Sequence, residues 1–247
     1  MRYLIKFSYD GTNFYGYQTQ PNLRTIQSEL ENAVEIVNNN IRKTVQSSGR
    51  TDKGVHALCQ YAHVDLDIEI TPKKLKRALN SNLPDDIHVI DAKIVGDKFH
   101  ARYSTKEKEY KYYINLGEYN PVERNYVFQY NYKLDIDAIK DAIKVFIGEH
   151  DFRAFVTENK DKLNCVRNID IATVEKFDEK LIFTFRGDGF LRYQVRNMVG
   201  ILIRVGENKL NSSDVLNILN SKDRSKCGVT APSEGLYLTD VVYKDLN

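Results

Sequence analysis

Cysteine is scarce in this 247-residue sequence, and the three present, Cys59, Cys165 and Cys227, are odd in number and widely spaced. With no Cys-x-x-Cys pair they argue against a disulfide framework or a zinc site, and they point to a reducing compartment. Charge of one sign is also lacking. A formal net charge of +2 rules out a wholesale basic surface, so an RNA partner would have to be met by cations gathered on one face. Long apolar runs are missing too. The start, Met1-Arg2-Tyr3-Leu4-Ile5-Lys6-Phe7, has no signal-peptide core, and no later run is long enough to span a bilayer. A soluble cytoplasmic protein with no membrane partner is therefore expected. The histidines (His56, His63, His88, His100, His150) have no metal-ligand spacing among themselves or with the cysteines, so no metal is expected. No dinucleotide fingerprint or serine nucleophile elbow occurs.

What is present is globular composition, 42% hydrophobic and 28% charged, enough for one large domain or two of ordinary size. Tyr3, Ile5, Phe7 and Tyr9 alternate with polar residues, as a strand requires. Asp10-Gly11-Thr12-Asn13 breaks the alternation. Phosphotransferases of the haloacid dehalogenase class begin similarly, but Ser8 stands where their nucleophilic aspartate would be, and that reading fails. The aromatic loop Phe14-Tyr15-Gly16-Tyr17-Gln18 follows. Thr25 caps a helix with Ile26, Leu30, Ala33 and Val37 on one face, ended by Asn38-Asn39-Asn40. Strands are expected at Thr44-Val45-Gln46 and from Leu58 to Leu66. Thr71-Pro72 opens a helix carrying Lys73, Lys74, Lys76 and Arg77, with Leu75 and Leu79 inward. Ile87 to Val95 reads as a strand.

The second half repeats the mixture without a sequence repeat strong enough to show duplication. Lys106 to Leu116 is a strand with Tyr110 and Tyr112 on one face. Ile136, Ile139, Ile143 and Phe146 make a helical stripe that stops at Gly148. Arg167 to Phe177 and Leu181 to Arg186 form a hairpin around Asp178-Glu179. A helix then carries Leu191, Val195, Met198, Leu202 and Val205 on its buried face, with Arg192 and Arg196 one turn apart off that stripe. A short helix near Asp214 to Leu219 and a strand from Leu236 to Tyr243 complete the chain. The fold class is α+β. Two related halves, residues 1–104 and 105–247, are expected to share a largely antiparallel central sheet with helices packed on it.

The stretch Ser48-Gly49-Arg50-Thr51-Asp52-Lys53-Gly54-Val55-His56-Ala57 stands out between its two strands. It holds a carboxylate, two cations, two hydroxyls and a histidine. Composition alone would make it an ordinary turn. Gly49 and Gly54 have the spacing of a phosphate-binding loop, but Val55 and His56 stand where that loop needs Lys and Ser or Thr. An aspartate used as nucleophile or base must stay ionised away from water, which needs a cation beside it. Arg196, fixed on a helix and unable to lose its proton, suits that role. Tyr110 could offer a flat ring to a base, and Arg50 could reach phosphate.

Gly49-Arg50-Thr51-Asp52-Lys53-Gly54-Val55-His56-Ala57 resembles the signature of the TruA family of tRNA pseudouridine synthases. The likeness continues in order through Tyr9-Asp10-Gly11-Thr12, Phe14 and Gly16, Asn82-Leu83-Pro84, Phe99-His100-Ala101-Arg102, and Lys108-Glu109-Tyr110-Lys111-Tyr112. It extends to Gly148-Glu149-His150-Asp151-Phe152, Val195-Arg196-Asn197-Met198-Val199-Gly200 and Glu234-Gly235-Leu236-Tyr237-Leu238. Tyr17 departs from it, standing where many relatives carry tryptophan, and this chain has none.

The resemblance implies an isomerase that detaches uracil from its ribose, turns it and rejoins it through carbon, with no cofactor and no metal. It implies a catalytic cleft between the halves, tRNA (positions 38–40 of the anticodon stem-loop) as substrate, and a homodimer. Asp52 matches the catalytic aspartate, and whether it attacks the base or deprotonates the sugar stays open. Tyr110 matches the tyrosine that stacks on the target base, with a hydroxyl able to help remove the C5 proton. Arg196 matches the arginine paired with the carboxylate. Arg50 matches the arginine placed to fill the stack or hold the backbone when uridine flips out. Arg192, His100, Arg102, Lys73, Lys74 and Arg77 are expected as RNA contacts rather than chemistry. Two other functions are compatible with these residues: the same reaction on another RNA such as ribosomal RNA, and a non-catalytic RNA-binding module. Intact Asp52, Tyr110 and Arg196 speak against the second.

Overall fold

A computed structural model describes residues 1–157 and 164–244. In chain order the elements are β1 (Arg2–Tyr9), α1 (Ile26–Val37), β2 (Gln46–Ser47), β3 (His56–Asp65), α2 (Pro72–Asn80), β4 (Ile87–Ile94) and β5 (Thr105–Asn115). They continue with β6 (Phe128–Gln129), α3 (Ile136–Ile143), β7 (Gly148–Asp151), β8 (Val166–Phe177), β9 (Lys180–Gly187), α4 (Gln194–Gly206), α5 (Ser212–Ser221) and β10 (Leu236–Tyr243). The chain divides into two compact units, Met1–Lys106 with Leu238–Asn247, and Glu107–Tyr237. A division by sequence order puts everything after residue 104 in one half. The structure instead groups β10, from Leu238 on, with the first unit, where β3 is its neighbour.

In the first unit the strand order is β4-β1-β3-β10, with β2 beside β3. β1 runs antiparallel to both neighbours, with Ile5 opposite Ala62 on one side and Ala92 on the other. Tyr3, Ile5 and Phe7 are fully buried, as their alternation requires. Thr25 caps α1 through a reciprocal pair with Ser28, and Thr71 caps α2 with Pro72 in its first turn. Ile26, Leu30 and Val34 of α1 and Leu75 and Leu79 of α2 are buried. Each such side chain contributes about 1.5–3 kcal/mol.

In the second unit β5-β9-β8-β7 are antiparallel neighbours, and β6 lies parallel to β5. The β8–β9 hairpin turns at Asp178, whose φ is +51°. α4 is buried on nearly every side, including the polar Gln194 and Asn197. Leu191, expected on its apolar stripe, lies before its first turn. Both units are thus α+β, and the antiparallel pairing expected from sequence is the dominant one.

Candidate active site

Asp52 stands in the loop between β2 and β3. The loop's first end is pinned by buried polar groups. Ser48 N donates to Tyr61 O at 2.7 Å, the Ser48 hydroxyl donates to Gln60 Oε1 at 2.5 Å, and Gln60 Nε2 donates to Gly49 O at 2.9 Å. At the other end Val55 N donates to Asp52 O at 3.2 Å, with Gly54 at φ +77° supplying the left-handed turn residue.

The segment Asp10 to Tyr17 lies against this loop. A Cβ on Gly11 would come within 2.1 Å of Val55 O, and one on Gly16, at φ +93°, within 3.0 Å of Thr51 O. Tyr17 N donates to Thr51 O at 3.1 Å, Gly11 N donates to His56 Nδ1 at 3.1 Å, and the Tyr9 hydroxyl is 2.8 Å from Thr51 Oγ1. Burial pushes the Tyr9 phenol up to about 12, and Tyr17 upward as well, so both stay neutral at physiological pH. The result is a half-buried Asp52 on a backbone held from two sides, flanked by exposed Arg50 and Lys53. Lys53 Nζ sits 4.2 Å from the centre of the Tyr15 ring.

The other first-unit candidates lie elsewhere in it. Lys73, Lys74 and Arg77 are exposed on α2 because Leu75 and Leu79 take its buried face. Arg102 is exposed, whereas His100 is half-buried and fixed. Its Nδ1 accepts from Arg102 N at 3.1 Å, which leaves Nε2 to donate to Gln46 Oε1 at 2.9 Å. Its ring is 4.6 Å from His63 and 4.3 Å from Tyr103. Burial and the neighbouring His100 hold His63 down to about 4, and burial lowers His100. Both ring nitrogens of His100 are thus engaged within the chain.

In the second unit Tyr110 is on β5 opposite Phe185, only 7% exposed, with its ring edge-on to Phe190 at 5.2 Å. Arg196 is in the first turn of α4 and Arg192 is not on the helix. This corrects the sequence expectation of two arginines one helical turn apart. Tyr193, at φ +63°, interrupts the backbone, and Gln194 Oε1 accepts from Leu191 N at 2.9 Å to close the preceding turn. What joins the two cations is the Tyr193 ring, with the Arg192 and Arg196 guanidinium carbons 5.2 Å and 5.1 Å from its centre. Arg196 Nε donates to Ala231 O at 2.7 Å.

Half-buried Glu234 is raised by burial, with Arg196 opposing the rise. The stretch beside it is tied to β5. The Tyr112 hydroxyl donates to Pro232 O at 2.7 Å and Tyr113 N to Gly235 O at 2.8 Å. Among the described residues no group of three or more His, Cys, Asp or Glu could hold a metal ion.

Residues 5–104 and 142–244 match the model of a protein family described as tRNA pseudouridine synthase. Three similar proteins are each named tRNA pseudouridine synthase A. The one from Streptococcus mutans is 45% identical over 99% of this chain and 100% of its own. That of Limosilactobacillus reuteri is 42% identical over 98% and 96%, and that of Ligilactobacillus salivarius 44% over 99% and 97%. The chain belongs to the tRNA pseudouridine synthase family. As a member it is an isomerase that converts uridine in tRNA to pseudouridine. A solved Cbf5-Nop10-Gar1 complex shares 13% identity over 97% of this chain and 59% of that one at a TM-score of 0.35, too distant to bear on the fold.

Sequence reasoning missed most of what holds the synthase residues in place. Tyr193 and Phe190 were not singled out, because nothing local distinguishes them from packing aromatics. Asn197 did carry a signal. An amide inside the apolar run Val195 to Val205 must be hydrogen-bonded wherever that run is buried.

Proposed function

We propose that Asp52, Tyr110 and Arg196 act on one uridine of the tRNA anticodon arm. The reaction breaks the N1–C1′ bond, forms the C5–C1′ bond, moves a proton from C5 to solvent and leaves one on N1. It is balanced without a redox step or cofactor. Asp52 is the carboxylate that acts on the nucleotide, and Arg196 supplies the charge that keeps it ionised. Tyr110 stacks on the uracil, and Arg50 takes the place the flipped base leaves in the RNA. Arg192, His100, Arg102, Lys73, Lys74 and Arg77 hold backbone and sugar. The protein works as a homodimer in the cytoplasm, consistent with three buried free thiols.

The observation that carries this reading is the brace around the Asp52 loop. Glycines at two positions let backbone approach backbone, and two neutral tyrosines pack behind it. A turn that only reverses the chain needs no such support.

The test is to incubate the protein with unmodified tRNA transcripts and map pseudouridine by carbodiimide-dependent primer-extension stops. Stops confined to the anticodon arm are expected. Stops only elsewhere in tRNA, or only in ribosomal RNA, would overturn the target assignment. Sedimentation of the protein alone should give a dimer mass, and a monomer mass at micromolar concentration would remove the dimer.

A further inference from the structure

Arg196 is held by a device the catalytic reading does not use. Two adjacent residues of the chain, Thr230 and Ala231, grip two adjacent residues of α4, Arg196 and Asn197. Ala231 takes both ends of residue 196, since its N–H donates to Arg196 O at 3.1 Å and its carbonyl accepts from Arg196 Nε at 2.7 Å. Thr230 Oγ1 donates to Asn197 Oδ1 at 2.6 Å. The same amide oxygen accepts from Arg224 Nη2 at 3.0 Å, and that nitrogen lies 3.0 Å from Thr230 Oγ1. Asn197 Nδ2 donates to Phe155 O at 2.7 Å, and Asn197 O is 3.7 Å from Cys227 Sγ. Asn197 has no exposed surface. One turn along the helix, a Cβ on Gly200 would come within 2.0 Å of Val229 O, so the segment can approach only over a glycine.

A long arginine side chain has several torsions free to rotate, and a catalytic charge misplaced by an ångström is ineffective. The Ala231 carbonyl removes that freedom by holding the Nε edge of the guanidinium. The carbonyl is itself fixed by the buried amide one residue away. We infer that Thr230 and Asn197 are positioning residues for the reaction: through Ala231 they aim the Arg196 guanidinium without touching the RNA. This rests on the proposed role of Arg196.

The experiment compares Thr230→Val, which keeps the shape and loses the hydroxyl, with Thr230→Ser, which restores the hydroxyl and loses a methyl. For pseudouridine formation on tRNA, Thr230→Val should lower kcat about 10- to 100-fold with KM and tRNA Kd changed less than about twofold. Thr230→Ser should regain most of the kcat. Both changes are then repeated on Arg196→Lys, which keeps the charge but has no Nε for Ala231 to hold.

If Thr230 acts through Arg196, Thr230→Val should cost less than about twofold in kcat on that background. A wild-type kcat for Thr230→Val, or the same fold-loss on both backgrounds, would overturn the inference. A fall in Tm with no change in kcat would show a purely structural knot and would overturn it as well. Should Arg196→Lys and Arg196→Met both turn over like the wild type, it is the role of Arg196 that fails, whatever Thr230 does.

Discussion

The loop of Asp52 and the helix of Arg196 solve one problem, how to fix a charged side chain, by opposite means. The loop has no regular structure of its own, and it is held along its backbone, by neighbouring main chain and by the Gln60 amide at Gly49. Gly11 and Gly16 admit close backbone approach, and Tyr17 N–H meets the Thr51 carbonyl. The arginine starts on a rigid element, and side chains complete its restraint, with Tyr193 beneath it and Asn197, Thr230 and Arg224 behind the carbonyl that holds it. Loops need backbone support because nothing else restrains their φ and ψ. A helix needs side-chain support because its backbone is fixed but the end of an arginine is not. The two sites should therefore fail differently when damaged.

Short of removing the Asp52 carboxylate itself, the largest effect is expected in the second region. Arg196→Met should lower kcat by about 100-fold or more while tRNA affinity stays within about threefold if, as proposed, the charge acts on the reacting group rather than on binding. Equal losses in binding and turnover would make it a plain RNA contact. Next is the basic face. If Lys73, Lys74 and Arg77 each meet a phosphate, a fourfold rise in salt should weaken tRNA binding by their share alone about 20- to 40-fold. Replacing one of them should reduce the salt slope by about one. A slope unchanged in all three variants would remove α2 from the interface.

The first region should break through its backbone. Gly11→Ala has to displace Val55 or its own loop, and should cost about 1–3 kcal/mol together with turnover. Gly96→Ala, where a Cβ meets nothing within 4 Å, should cost neither. A harmless Gly11→Ala would mean the loop does not depend on close approach. A pH dependence is expected as well. His63 is held down to about 4 against an ordinary value near 6.5, so the unfolded chain takes up the proton first on acidification. Its contribution to stability is complete above pH 6.5 and lost as pH falls toward 4. Tm should drop over that window, and His63→Asn, whose oxygen can still accept from Ala101 N, should flatten the drop.

Local signals were legible in the sequence. The alternation of Tyr3, Ile5, Phe7 and Tyr9, the caps at Thr25 and Thr71-Pro72, and the hairpin around Asp178 depend on near neighbours, and each element formed where its signal lay. Asp52 was legible as a candidate for the same reason, being part of a compact motif. Two-residue strands such as β6 carry no periodicity to read. The grouping of β10 with the first unit depends on a partner far away in sequence. Arg192 was misplaced because one left-handed residue, Tyr193, decides where the helix starts. The knot behind Arg196 joins Asn197 to residues 27 and 33 positions away, beyond any local pattern.

The central claim is that this chain is a uridine isomerase whose reaction runs through Asp52. Its most direct test is tritium release from tRNA labelled at uracil C5, comparing wild type with Asp52→Asn. Release by the wild type, none by a folded Asp52→Asn that still binds tRNA, is the predicted result. Equal release by both proteins would contradict it.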